Sequence, residues 1–324
     1  YYINIMKKNE LLLCVTLGDP CGIGPEISAK SIHFFNKNKL PYRFIIIGNK
    51  NSFLKACKIC KVNPYLDNIK DFIDIKSKSL KLKKCSSASA GEVAYQSICK
   101  AVKLYKENKV NAIITAPLSK ESLHMSNHFY DGHTGLIASL FNVKDPYLML
   151  SNKKFSILHV TCHLSLKKAI HSINKEKLIE VIKIGHKHMQ KIGFKNPKIG
   201  VCGLNPHSGE NGLFGDEEIK YYIPAINILK KNGINVSLPI SADIIFRDAC
   251  DGKYDLIIAN YHDQGHIPMK LLYFDQSVNV TLGVPIIRTS VDHGTAFDIA
   301  YKNKAKSINM VAAILYAIRM CNIK

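Results

Sequence analysis

Short β-rich apolar runs recur along the chain at 11–17 (LLLCVTL), 44–48 (FIIIG), 112–115 (AIIT), 155–160 (FSILHV), 198–204 (KIGVCGL), 255–260 (DLIIAN) and 284–290 (VPIIRTS). Stretches with helical spacing lie between them, at 91–108, 175–192, 216–232 and 307–320. Strands that alternate with helices indicate an α/β fold on a mainly parallel sheet. In open sheets of this kind, ligands gather outside the C-terminal ends of the strands. The residues that follow each apolar run are therefore the ones to read for chemistry. A chain of 324 residues is long enough that two lobes are expected rather than one. No repeat or low-complexity linker marks the boundary.

Composition narrows the partners. The net charge is +20, but only four of the 45 basic residues are arginines (Arg43, Arg247, Arg288, Arg319). The lysines are scattered among Asn and Ile, whereas a nucleic-acid surface clusters its charge. The reading is a solvated lysine coat and no nucleic-acid partner. The longest apolar run, Ile308 to Ile318, falls short of the roughly 20 residues that span a bilayer, so no membrane partner is expected. The N-terminal YYINIMKKNE has neither an apolar h-region nor a small-residue cleavage site, and a cytoplasmic location is the expectation. The ten cysteines are read as reduced thiols that pack as small hydrophobes. Cys57 and Cys60 have CxxC spacing, but no second pair completes a zinc site.

Three histidines stand in one topological position. His163 follows FSILHVTC, His207 follows KIGVCGLNP and His262 follows DLIIANY. One histidine after a strand is ordinary; three at equivalent strand ends make a metal site, with open positions for substrate. Neutral ligands leave a divalent ion its full charge, so a substrate alcohol bound there ionises more easily. Lys270, Asn279 and Arg288 are placed to clamp a carboxylate or phosphate. Asp243 and Asp263 either move a proton or orient a ligand, with a helix N-cap or hydrogen-bond role as the alternative. The run GDPCGIGPE (18–26) lets the backbone at Gly22 and Gly24 approach an anion, yet it lacks the third glycine of GxGxxG and the lysine of a P-loop. The turns DGHTG (131–135) and SVDHGTAFDIA (290–300) add further histidines among glycines and hydroxyls.

GDPCGIGPE, TAPLSK (115–120), DGHTG, HVTCH (159–163), GLNPHSGENGLFGDEE (203–218), YHDQGHIPMK and RTSVDHGTAFDIA occur together and in order. In that combination the chain resembles the 4-hydroxythreonine-4-phosphate dehydrogenases of vitamin B6 biosynthesis. GDPCGIGPE and HGTAFDIA also look like the broader isocitrate and isopropylmalate dehydrogenase class. That class has a two-lobed α/β/α fold and binds NAD without a Rossmann fingerprint, which accounts for the missing glycine.

The resemblance implies NAD(P)-dependent oxidation of 4-phosphohydroxy-L-threonine to a 3-oxo acid that then decarboxylates, assisted by one divalent ion (zinc, cobalt, magnesium or manganese). It makes His163, His207 and His262 the metal ligands and His133, Thr134, Lys270, Asn279 and Arg288 the substrate-binding residues. Gly22, Gly24, His293, Gly294 and Thr295 fall to the cofactor. It also implies a homodimer with the active site at the subunit interface. The expected lobes are 1–125 with 276–324, on the cofactor side, and 126–275, carrying the histidines and the dimer contacts. Gly135 stands where Glu is usual after GHT, and YKNK (301–304) replaces the usual GKG. His266 is left to a packing or loop role. The alternatives are a paralogous dehydrogenase of threonate or erythronate 4-phosphate and, from another class, a hydrolase that uses the same histidines to activate water.

Overall fold

A computed structural model describes residues 11–322; the N-terminal stretch read above for a signal sequence lies outside the described residues. The chain divides into two compact units, one running to Pro146 and resuming as Val284–Asn322, the other spanning Tyr147–Gly283. The first unit contains the strands β1 (Leu12–Thr16), β2 (Arg43–Gly48), β3 (Ile69–Asp74) and β4 (Ala112–Thr115). The second contains β5 (Tyr147–Ser151), β6 (Ser156–His159), β7 (Ile199–Cys202), β8 (Val236–Ile240), β9 (Leu256–Ala259) and β10 (Val278–Leu282). The chain then returns to the first unit as β11 (Arg288–Val291).

In the first unit the strand order is β3-β2-β1-β4-β11, and every pair is parallel. Leu13 lies between Phe44 and Ala112, all three fully enclosed. Such strands are covered on both faces, which is why they read as continuous apolar runs. In the second unit the order is β10-β5-β6-β9-β7-β8. It is parallel from β6 to β8, while β5 runs antiparallel to both β6 and β10. The reversal is local: after β5 the Asn152 side chain accepts from the amides of Lys154 and Phe155 at 2.6 and 3.1 Å, closing a tight turn into β6.

Residues 126–146, which the sequence placed with the histidine lobe, belong to the first unit. The reason is packing. The helix His133–Leu140 buries Leu136, Ile137 and Ala138 in the same core as Ile45, Ile47, Ile98 and Ile113. DGHTG is thereby carried into the unit that holds Arg288.

Gly265 decides how closely a helix can approach β6. The helix His262–Tyr273 begins directly after β9, and a Cβ at Gly265 would stand 2.3 Å from His159 Nε2 and 2.8 Å from Ile157 Cγ2. Only a residue without a side chain lets the helix seat there. Gly265→Ala is expected to destabilise the protein by about 1–3 kcal/mol through overpacking, offset by at most about 1 kcal/mol of helix propensity. A lowered urea midpoint checks this; an unchanged midpoint would show that the His159 ring has room to yield.

Candidate active site

The strands β6, β9 and β7 are neighbours and parallel, so their C-terminal ends open on one edge. A cavity of about 350 Å³ lies there, lined by Cys162, His163, Leu164, Leu166, Tyr261, His262 and Asp263. Cys162, His163 and His262 each place a donor atom within 4.8 Å of the other two. Among the described residues this is the group of histidine, cysteine or carboxylate donors close enough to share an ion. Its two imidazoles and one thiol suit a borderline divalent ion such as zinc or cobalt.

Asp263 sets the orientation of His262. Its Oδ1 is 2.6 Å from His262 Nδ1, so Nδ1 carries the proton and Nε2 keeps its lone pair, the tautomer a metal ligand needs. His262 also occupies the first turn of its helix. Its ring stacks on His266 with centroids 3.7 Å apart, and His266 in turn packs 4.7 Å from His159. His159 bonds through Nδ1 to the Leu148 carbonyl at 3.1 Å. Burial, aided by the neighbouring imidazoles, pushes His159 down to about 4 and His266 to about 3. His266 therefore has the packing role expected of it, behind His262.

His207 stands apart from this donor set. It opens a run, His207–Gly212, in which six consecutive residues have positive φ. Such backbone costs non-glycine residues about 1–2 kcal/mol each and persists only where neighbours enforce it. Glu218 supplies part of that enforcement: its carboxylate accepts from the amides of Leu204 and Asn205, both at 2.8 Å, and from Asn205 Nδ2 at 2.8 Å. Asp243 lies in the first turn of the helix Ala242–Cys250. The Ser241 hydroxyl, with help from the nearby His207, holds its carboxyl below the usual range. Lys270 lies on the helix that His262 begins. Asn279 lies on β10, with its Oδ1 buried and unpartnered.

The first unit carries a second polar cluster. Arg288 is the first residue of β11, paired in register with Ile113. Its side chain runs along the sheet so that Nη2 donates to Thr115 Oγ1 at 2.7 Å, at the C-terminal end of β4. The guanidinium is almost entirely enclosed, at 1 % exposure, and burial lowers its pKa to about 9. His133 is the first residue of its helix, with Thr134 beside it. Burial first, and then the Arg288 charge, hold His133 well below its ordinary value, against a hydrogen bond to the Ala116 carbonyl. Its Nε2 is buried and unpartnered. A neutral imidazole beside a buried cation is chemistry that suits an anion.

The glycines of GDPCGIGPE serve backbone packing. A Cβ on Gly22 would lie 2.8 Å from the Thr295 carbonyl oxygen, and one on Gly24 would lie 2.1 Å from that of Leu17. Ile23 N donates to Thr295 O at 2.9 Å. The loop 18–26 and the turn His293–Thr295 are thus brought together, while Gly294 faces open space. The departure YKNK has a local explanation. Tyr301 and Asn303 hold positive φ of 56° and 59°, where the usual pattern has glycine. Both amides are anchored by the buried Glu26 carboxylate, and Tyr301 Oη donates to the Pro20 carbonyl.

Sequence reasoning missed Cys162 as a donor because it grouped all ten cysteines as packing. It also passed over Asn260 and Glu218, whose roles are to hold turns; their position at the apolar-run boundary and in GDEE was the available signal.

The family described as pyridoxal phosphate biosynthetic protein PdxA matches residues 41–317. The D-threonate 4-phosphate dehydrogenase of Pectobacterium atrosepticum is 39% identical over 325 residues, covering 95% of this chain and 99% of its own length. The enzyme of the same name from Salmonella typhimurium strain LT2 is 40% identical, covering 95% and 98%. A solved structure of 4-hydroxythreonine-4-phosphate dehydrogenase from Klebsiella pneumoniae superposes with a TM-score of 0.84 at 37% identity, covering 98% of this chain and 100% of its own.

The depressed histidines make stability depend on pH. Below about 6.5, the ordinary histidine value, the unfolded chain binds protons that His133, His159 and His266 refuse in the folded state, so stability falls as pH falls toward their folded values. His133→Gln removes one of these contributions. Urea midpoints at pH 7 and pH 5 are expected to differ less in the variant than in the wild type. An equal difference would show that His133 protonates freely in the folded chain.

Proposed function

This chain belongs to the pyridoxal phosphate biosynthetic protein PdxA family, and on that premise we propose that it is an NAD(P)-dependent, metal-assisted dehydrogenase of a phosphorylated four-carbon hydroxy acid, with 4-phosphohydroxy-L-threonine as its substrate. One observation carries the reading: His163 and His262 approach within a shared ion's reach in a strand-end cavity, with Asp263 fixing the His262 tautomer. A divalent ion held there by His163 and His262 would supply Lewis-acid polarisation of substrate oxygens, and a bound nicotinamide would supply the hydride acceptor.

The chain's own residues do the rest. His163 and His262 offer imidazole nitrogens to the ion. His207, implied by the resemblance as the third ligand, is not within reach of both in one chain, which is what a site completed by a second copy would show. His133, Thr134, Lys270, Asn279 and Arg288 are assigned to the anionic substrate, as the resemblance implies. Arg288 is suited to this because its charge is already desolvated and its fork is held by Thr115, so little reorganisation remains when an anion arrives. The turn His293–Thr295 is assigned to the cofactor; Gly22 and Gly24 support that turn and the first helix.

A second reading, D-threonate 4-phosphate as substrate, is favoured by the names of the relatives at 39–40% identity. The two substrates share the reacting alcohol and the phosphate and differ at C2. For the homodimer, the helix His262–Tyr273 exposes Ile267 and Leu271, at 63% and 82%, on the element that carries His262. An apolar face this exposed beside a site suits a second copy of the chain.

The test is NAD(P)H absorbance with each substrate, with and without a chelator, alongside the mass in solution of wild type and Leu271→Glu. Expected are turnover of one substrate, its loss on chelation with restoration by zinc or cobalt, and a dimer that the variant splits with loss of activity. Full activity in verified metal-free protein, or phosphate release without cofactor reduction, would overturn the proposal.

A further inference from the structure

Of the three donors at the ends of β6 and β9, the three-histidine reading uses two. We propose that the third, Cys162 Sγ, is a thiolate ligand to the same divalent ion. This inference rests on the metal-centre reading above and goes beyond it.

Geometry carries it. Cys162 and His163 are adjacent in sequence, and in a strand their side chains would point to opposite faces. Here the chain has left β6, and Leu164 N closes back on the Cys162 carbonyl at 2.7 Å. That tight turn lets both side chains line one cavity. The donors lie within 4.8 Å of one another, and donors around tetrahedral zinc are about 3.5 Å apart, given bond lengths of about 2.3 Å to sulfur and 2.0 Å to nitrogen. Side-chain adjustments of about 1 Å therefore close the set.

Cys14 and Cys202, by contrast, are fully buried, and burial pushes their thiols far up; Cys57 is enclosed in the first unit. When Cys162 binds, its S–H bond breaks, the proton passes to solvent and the sulfur lone pair goes to the metal. The thiolate cancels one of the ion's two positive charges and is a soft donor. It therefore biases the centre toward zinc or cobalt and away from magnesium.

The test uses the full chain and cobalt(II) alone as the probe, with Cys162→Ser, Cys60→Ser and His163→Ala, each confirmed folded by circular dichroism. Wild type and Cys60→Ser are expected to bind cobalt and show near-ultraviolet sulfur-to-cobalt charge-transfer absorption. Cys162→Ser is expected to bind about 10-fold more weakly or worse and to lack that absorption. Cobalt bound in a His163-dependent way without the absorption, or with the absorption intact in Cys162→Ser, overturns the thiolate ligand and leaves the histidine centre standing. Cobalt that does not bind, or binds without regard to His163, overturns both.

Discussion

The Asn260 side chain holds the strand ends in place. It sits just past β9, fully enclosed, and its Nδ2 donates to the carbonyls of Cys202 and Gly203 at 3.1 and 3.0 Å, tying β9 to the end of β7. Its Oδ1 accepts from Tyr222 Oη at 2.7 Å. Its own carbonyl accepts from Thr161 Oγ1 at 2.8 Å, tying β9 to the turn after β6. Its amide donates to Gln264 Oε1 at 2.7 Å, joining the turn to the helix that His262 begins. A buried amide with every group engaged is costly to disturb, since each orphaned partner carries about 1–3 kcal/mol of desolvation. Through these bonds Asn260 joins the turn that carries His163 to the one that carries His262.

Around that point the fold spends its glycines and histidines on close approach. Gly265 lets the helix lie on His159, and His159, His266 and His262 form a ladder of rings that ends at the cavity. Two of the three are held neutral by burial, so those two rings add no positive charge beside the donor set. In the first unit the same economy appears with the opposite sign: Arg288 is kept buried and charged, and His133 beside it is kept neutral, leaving one net positive group for an anion.

Much of this was legible in the sequence, and the exceptions are physical. The continuous apolar runs marked β1, β2, β4, β6, β7, β9 and the region of β11, because parallel strands covered on both faces have no polar alternation to hide them. Four strands went unread: β3 reads IKDFID, β8 contains Pro239 and β10 carries Asn279 and Thr281, each breaking the pattern, whereas β5 (YLMLS) is buried throughout and keeps it, so its omission has no such cause. His163 and His262 were legible because each follows such a run. His207 follows one too, but a left-handed stretch of mostly non-glycine residues redirects it, and no propensity foretells that. At Gly22 and Gly24 the sequence shows that a Cβ is absent, but not that the Thr295 and Leu17 carbonyls occupy its place.

The central claim is that the turns after β6 and β9 together make a metal centre. It is tested most directly by anomalous diffraction at the zinc edge from crystals of the zinc-loaded protein. The expected result is a peak about 2.0–2.1 Å from imidazole nitrogens of both His163 and His262, with Asp263 still on His262 Nδ1. Zinc found elsewhere, with both imidazoles unligated, would contradict it.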